Sequence, residues 1–529
     1  MNWLDYIIVI AYSIFLLGLG FYLKDNKNTK DYFLGGRNLK WFPLSLSTMA
    51  TQLSAISFIS APAFIGIKQG GGLHWLTYEL AVPLAMIFIM VFIIIPLYKS
   101  KVISIYEFLE KHFDASSRLL ISIVFQVSRS FGTGVMVYAV SLILQSVLGV
   151  EFWQSILIIG VITVVYSYQG GMKAVVYGDT IQMIIMIFGI FLCIFFGLKE
   201  IGGWSEFIAN IPKERLNVID FSKFGFNNLN KNDEFGFFPM IFGGLVLYVS
   251  YYGCDQTQAQ RALSANNEGT IKKLLLVNGL FRFPVVLLYS LMGLILGTMA
   301  LTNAKFGGII NNIIASNEAD KMVPYFIVNY LPHGIIGILI VAIIAAAMSS
   351  LSSTINSLSA VTVEDLIKRR NKNISEKSYL RYSKLSSVFW GCVCILFAFT
   401  AGDIADTVIE AINKIGSVFY GPILAMFILA ILFKRVNALC ANIGLITGVL
   451  FNVYLWKFVP EIFWFWWNFL GAFITISIAV TLSLFIKKKK SAESPHTRIN
   501  FNLFNKETIV LLVFFIIMTV FCLLLPKLF

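Results

Sequence analysis

Between Ala345 and Ser357 the chain reads Ala345-Ala346-Ala347-Met348-Ser349-Ser350-Leu351-Ser352-Ser353-Thr354-Ile355-Asn356-Ser357, a run of hydroxyl and amide groups inside an apolar segment. On a helix Ser349, Ser353 and Asn356 fall at i, i+4 and i+7, and Ser350, Thr354 and Ser357 repeat that spacing, so one side presents a column of neutral oxygens. Na+ suits such a column. It is a hard cation held by oxygens, and hydroxyls and carbonyls replace its hydration without burying a full opposing charge. The same residues have a local use as well, because serine in a membrane helix bonds back to the carbonyl four residues earlier.

Further oxygens become available where a helix breaks. Non-helical backbone at membrane depth is costly unless it lines a cavity, so a polar interruption of an apolar run points to a site. One interruption is Ala50-Thr51-Gln52-Leu53-Ser54-Ala55-Ile56-Ser57; a second begins at Gly243-Gly244 and ends in Tyr251-Tyr252-Gly253-Cys254-Asp255-Gln256. They stand five apolar segments apart. That separation is expected of two five-helix units of opposite topology, an inverted repeat whose broken first helices hold the ligand. Close helix packing through small and hydroxyl residues is the alternative for either segment alone, and the matched positions favour a site.

The elements that must position these groups are membrane helices. The 529 residues are 58% hydrophobic and 13% charged, with a mean hydropathy of +0.79, outside the balance of soluble domains. Apolar runs long enough to cross about 30 Å of hydrocarbon recur about fourteen times, near 3–23, 41–67, 74–98, 116–147, 153–170, 178–198, 236–256, 273–301, 335–366, 383–401, 408–433, 438–456, 462–486 and 507–526. The fold class expected is an all-α polytopic membrane protein, embedded in the lipid bilayer.

The net charge of +13 sits in alternate loops, which serves topology rather than nucleic-acid binding. Basic residues cluster at Lys24 to Lys40, Lys99 to Arg118, Lys173, Arg261 to Lys273, Lys368 to Lys384, Lys434-Arg435 and Lys487 to Lys490, which predicts a plasma-membrane protein, or an inner-membrane one in a bacterium, with both termini outside. Met1-Asn2-Trp3-Leu4-Asp5 lacks a basic leader region, so the first run reads as a retained helix. The six cysteines fall in or beside apolar runs, the four histidines have no metal-ligand spacing, and no phosphate loop is present; neither a disulfide framework, a metal cluster nor ATP hydrolysis is expected. No catalytic constellation points to an enzyme.

Charges inside apolar runs are expensive and suggest function. The chain offers Glu79, Arg129, Arg282, Glu410 and Lys414. Three cations against two carboxylates leave a positive surplus suited to an anionic solute, whereas a Glu79–arginine pair would simply lock two helices together.

The sequence resembles the sodium:solute symporter family in Asp31-Tyr32-Phe33-Leu34-Gly35-Gly36-Arg37, Gly170-Gly171-Met172-Lys173-Ala174-Val175-Val176, Gln260-Arg261 and Ser349-Ser350. Ser359-Ala360-Val361-Thr362-Val363-Glu364-Asp365-Leu366-Ile367 is most similar to the iodide, vitamin and monocarboxylate branch. The resemblance implies a Na+ site on the carbonyls of Ala50, Leu53 and Ala346 with the hydroxyls of Ser349 and Ser350. It also implies a second site, as in the sialic acid carriers, on Asp179, Ser349, Ser352 and Ser353; Asp179 has an alternative role as a helix cap.

For the solute, Arg129, Ser54 and Ser57 match carboxylate-binding positions of the sialic acid carriers. Glu79 matches a sugar-binding glutamate of the galactose carriers, Arg282 stands where those have lysine, and Ser57 and Tyr248 replace their amide contacts. Gln52 and Asn413 join the expected solute contacts, and Tyr251 matches an inner gate. The implied organisation is 1–40 as terminus, extra helix and basic loop, 41–198 as first repeat, 199–235 as outer loop, 236–433 as second repeat and 434–529 as peripheral helices. The expected function is Na+-coupled symport of a small polar solute by a monomer, leaning to an organic acid of sialic acid or monocarboxylate type. The alternatives are a sugar or inositol symporter, a proton-coupled permease, and an ion channel.

Overall fold

Asparagine, aspartate and serine mark many of the helix starts, because a short side-chain oxygen accepts from the backbone N–H groups that the first turn leaves unpaired. The computed structural model describes residues 1–24, 29–226, 233–371, 373–400, 408–486 and 505–528; Lys27, Lys231, Lys372 and Lys487 to Lys490 lie outside the described residues. Helix α1 (Trp3–Tyr22) is followed by α2 (Trp41–Gln52), α3 (Ala55–Gly66), α4 (Leu73–Lys99), α5 (Ala115–Leu148) and α6 (Phe152–Ile201). Next come α7 (Phe237–Cys254), α8 (Gln256–Leu263), α9 (Glu268–Thr302), α10 (Ala304–Ala315), α11 (Met322–Tyr330) and the serine-bearing α12 (Ile335–Lys368). The chain ends with α13 (Glu376–Thr400), α14 (Val408–Leu432), α15 (Ala438–Phe458), α16 (Trp464–Phe485) and α17 (Lys506–Leu528). Asn2, Ser54, Asp114, Asp255, Asn267, Asn303 and Asn437 cap the helices that follow them.

Among the described residues 12 helices are long and apolar enough to cross a membrane, or 13 when α2 and α3, bent by 54°, count as one broken span. The expected fourteen is reached only if α6 is divided. Its 50 residues would extend about 75 Å if straight, more than twice the hydrocarbon thickness. Gly171 interrupts it with φ 56 and ψ −147, where an added Cβ would lie 2.6 Å from the Tyr32 carbonyl oxygen. Helices α10 and α11 were not anticipated; they are short, and Phe306, Ile310 and Ile313 bury one face of α10.

Large apolar side chains stand exposed in helical rows, such as Ile7, Ile10 and Ile14 on α1, Ile184, Phe188, Phe191 and Phe195 on α6, and Ile516, Ile517, Val520 and Leu524 on α17. Rows of this kind belong against lipid. The protein is multi-pass. Helix α1 is fixed to the core by Asp5, whose carboxylate accepts from the Gly334 N–H at 2.7 Å and the Gly337 N–H at 3.1 Å, pairing the free donors at the start of α12.

Helices α3 and α9 meet backbone to backbone. A Cβ at Gly66 would lie 2.3 Å from the Gly293 oxygen, one at Gly293 would lie 2.6 Å from the Pro62 oxygen, and one at Gly297 would lie 2.4 Å from the Gly66 oxygen. Such contact admits glycine alone. Gly297→Ala is expected to cost about 1–3 kcal/mol through overpacking, seen as a lower melting midpoint of the purified protein; an unchanged midpoint would mean that the two helices part freely.

Candidate functional site

The last carbonyls of α2 have no partners within their own helix. The Leu53 N–H takes the Met49 carbonyl, and the Ser350 hydroxyl donates to the Thr51 carbonyl at 3.2 Å. No hydrogen bond from the described residues reaches the Ala50 or Leu53 carbonyl. Leu53 (ψ 71) and Ser54 (ψ 177) leave helical geometry, and the Ser54 hydroxyl accepts from the Ile56 N–H at 3.3 Å to start α3. The break at Ala50 to Ser57 and the serine helix are thus in contact, with Ala50, Leu53, Ala346, Ser349 and Ser350 all buried.

The second break matches in position. After a wide turn at Ser250–Cys254 the chain is extended at Asp255 (φ −99, ψ 127), whose carboxylate caps α8 through the Thr257 N–H at 2.8 Å. The two breaks touch where the Tyr252 hydroxyl donates to Gln52, and the Gln258 amide donates to the Thr48 carbonyl at 3.3 Å.

Asp179 is fully buried and surrounded by donors. Ser47 donates at 2.6 Å, Ser349 at 2.7 Å and Ser353 at 3.4 Å. Arg261 Nη2 stands 2.9 Å away, so Asp179 caps no helix and instead has a buried cationic partner. Arg261, grouped by sequence with the loop lysines, is 1% exposed. Ser352, expected on Asp179, donates back to the Ser349 carbonyl at 3.0 Å.

Beside the first break lies a cavity with about 130 Å³ of water-accessible space. Of the residues proposed as solute contacts, Gln52, Ser54, Ser57, Arg129, Arg282 and Asn413 line it, Glu79 and Tyr248 do not, and the gate candidate Tyr251 lines it as well. Glu79 instead receives Arg282 as a fork, Nε to Oε2 at 3.0 Å and Nη2 to Oε1 at 3.1 Å, with both side chains buried. Arg282 Nη1 and the Tyr248 hydroxyl have no hydrogen-bond partner among the described residues. Tyr248 stacks on Tyr78, centroids 5.2 Å apart.

With Arg282 on Glu79, and with partners the sequence had left in other segments on Arg129 and Glu410, the expected surplus of one cation remains among the described residues and falls on Lys414. Arg129 is paired with Asp255 at 2.6 Å and lies over the Tyr251 ring at 4.7 Å. Glu410 takes Lys68 from the end of α3, and Lys414 lies over Trp467 at 5.9 Å. Asp255 carried a legible signal, a carboxylate closing an apolar run; Lys68 read as a loop residue.

A model of the sodium:solute symporter family matches residues 32–448. The sodium-coupled monocarboxylate transporter 2 of Bos taurus is 30% identical over 480 residues, covering 89% of this chain and 73% of that protein. The human sodium/iodide cotransporter is 28% identical over 433 residues, covering 81% and 65%. Among solved structures, a Na+-coupled sialic acid symporter in a substrate-bound outward-open state superposes with a TM-score of 0.81 at 24% identity, over 93% of this chain and 100% of that one. A nucleobase-cation-symport-1 family transporter in a closed conformation gives 0.52 at 11% identity, over 93% and 99%. At these identities the solved structures bear on the fold, a transporter core of inverted repeats.

Proposed function

Because the chain belongs to the sodium:solute symporter family, whose members are Na+-coupled carriers and not enzymes, we propose that it imports a small organic monocarboxylate together with Na+. The observation that carries the choice of solute is Arg282, which lines the cavity and whose Nη1 is a buried donor with no partner among the described residues. A carboxylate would complete it, since charge-assisted N–H···O bonds are the strong ones and a buried unpaired donor is costly. Ser54, Ser57, Gln52 and Asn413 supply further polar contacts, and Arg129, over the Tyr251 ring, lines the same cavity.

Size supports the same reading. About 130 Å³ compares with the roughly 150 Å³ cavity that takes benzene, a solute of a few heavy atoms. The relatives named as monocarboxylate carriers are in accord. A solute as large as a sialic acid requires a wider cavity.

The coupling ion sits in this proposal on the Ala50, Leu53 and Ala346 carbonyls with the Ser349 and Ser350 hydroxyls. The end where Arg118, Glu110 and Arg369 gather faces inward, both termini face outward, and the monomer is the working unit. One Na+ with a monoanion moves no net charge. Each further Na+ adds about 2.3 kcal/mol per 100 mV, roughly 50-fold in accumulation.

Proteoliposomes under an inward Na+ gradient are expected to concentrate lactate or pyruvate, and to stop when choline replaces Na+. Concentration of galactose or inositol without the acids would overturn the solute assignment, and uptake driven by a proton gradient alone would overturn the ion.

A further inference from the structure

Arg261 is buried, charged and unused by the reading above. Its Nε donates to the Ser47 hydroxyl at 2.8 Å, its Nη2 faces Asp179 at 2.9 Å and also reaches Ser353, and its Nη1 donates to the Thr257 carbonyl. Ser47, Ser349 and Ser353 donate to the same carboxylate. A Na+ placed among Asp179, Ser349 and Ser353 would therefore meet a cation already paired with the anion there. Among the described residues the other hydrogen-bond partners of Asp179 are hydroxyls, and Asp255, the carboxylate that caps α8, is held by Arg129. Two monovalent cations sharing one buried carboxylate leave a net positive charge away from water, which is unfavourable for the same reason that adjacent buried carboxylates do not both ionise.

Replacement one for one avoids that. A serine hydroxyl offers lone pairs to an ion as readily as to a guanidinium, and its hydrogen turns to suit. Arg261 rides on α8, a helix of eight residues whose start follows the wide turn at Ser250–Cys254 and the extended Asp255. The remaining side-chain bonds from α8 to other segments are neutral, between Gln256 and the Ile103 and Ile105 backbone, between Thr257 and Ser357, from Gln258 to Thr48 and from Gln260 to Phe33 and Asn356. We infer that Arg261 and Na+ are mutually exclusive partners of Asp179: the guanidinium holds the carboxylate when the ion is absent, and the arriving ion displaces it and untethers α8. The inference rests on Na+-coupled symport and specifies how a second ion enters that cycle.

Binding of radiolabelled Na+ to the full-length protein in lipid nanodiscs tests it. Arg261→Gln should bind the Asp179 ion at a half-saturating concentration about ten-fold lower or better, a difference of about 1.4 kcal/mol. Asp179→Asn in the same protein should abolish that ion, and methylguanidinium should compete for it one for one. Unchanged half-saturation and ion count in folded Arg261→Gln overturn the proposal. Should that variant not fold, Ala262→Cys, at a position 4% exposed on α8, serves in the otherwise intact chain. Its alkylation should be roughly three-fold faster in Na+ than in K+, as the untethered population grows; equal rates overturn the proposal. Failure of the symport reading itself looks different, because the unsubstituted protein would then bind no Na+ at all.

Discussion

Glu79→Gln is expected to leave little folded protein. Arg282 would remain charged, 2% exposed and without its fork. Removing one partner of a buried ion pair costs about 3–5 kcal/mol, because the other charge has neither water nor counter-ion. The fraction eluting as a single symmetric species in detergent, and its melting midpoint, should fall sharply.

The double variant Glu79→Gln/Arg282→Met should recover much of that loss, since an ion pair replaced by apolar groups of similar volume is often neutral in stability. It should still fail to accumulate the acid, having lost the Nη1 donor. A double variant that transports normally would remove Arg282 from solute recognition while leaving its structural role intact. Full stability of the single variant would show that the pair is not desolvated as its burial implies.

The second large effect belongs to Ser350. Its hydroxyl reaches from α12 to the Thr51 carbonyl at the broken end of α2. Losing a buried oxygen contact to a charged group costs about 1.5–3 kcal/mol, so Ser350→Ala should raise the half-saturating Na+ concentration for uptake by roughly 10- to 100-fold. Ser352→Ala provides the contrast. That hydroxyl is spent on the Ser349 carbonyl, and its removal should leave the Na+ dependence nearly unchanged. Equal Na+ dependence in Ser350→Ala and the unsubstituted protein would move the ion away from the break.

Both breaks and the serine helix were legible in the sequence because polar groups inside an apolar run are conspicuous against the cost of burying them. Asp179 is buried, and Ser54, Ser57 and Arg129, singled out by residue type and family resemblance, lie on one cavity. Partnerships were legible only in part. A Glu79–arginine pair was one of the two readings and the structure forms it with Arg282, 203 residues away, but hydropathy prices each residue alone and gave no sign that Asp179 finds Arg261 82 residues away. Arg261 was the clearest loss. Helix α8 is rich in glutamine and reads as a loop, yet all of it is buried, with Gln256, Gln258 and Gln260 bonded to Ile103, Ile105, Thr48, Phe33 and Asn356. The surplus likewise changed its place: Asp255 takes Arg129 and Lys68 takes Glu410, which leaves Lys414 as the surplus cation among the described residues. Gly171 was visible as one of a glycine pair, but its role in turning α6 required the backbone, since only φ and ψ distinguish a bend from a continuous helix.

The glycine contact between α3 and α9 makes a lever of the pair. With Pro62 and Gly66 seated against Gly293 and Gly297, α3 has little freedom to swing alone about Leu53–Ser54. Any rotation at that fulcrum carries the 35 residues of α9 with it, and Arg282, on the same helix, travels along. A small displacement at the break would thereby be magnified at the far end of a helix about 50 Å long.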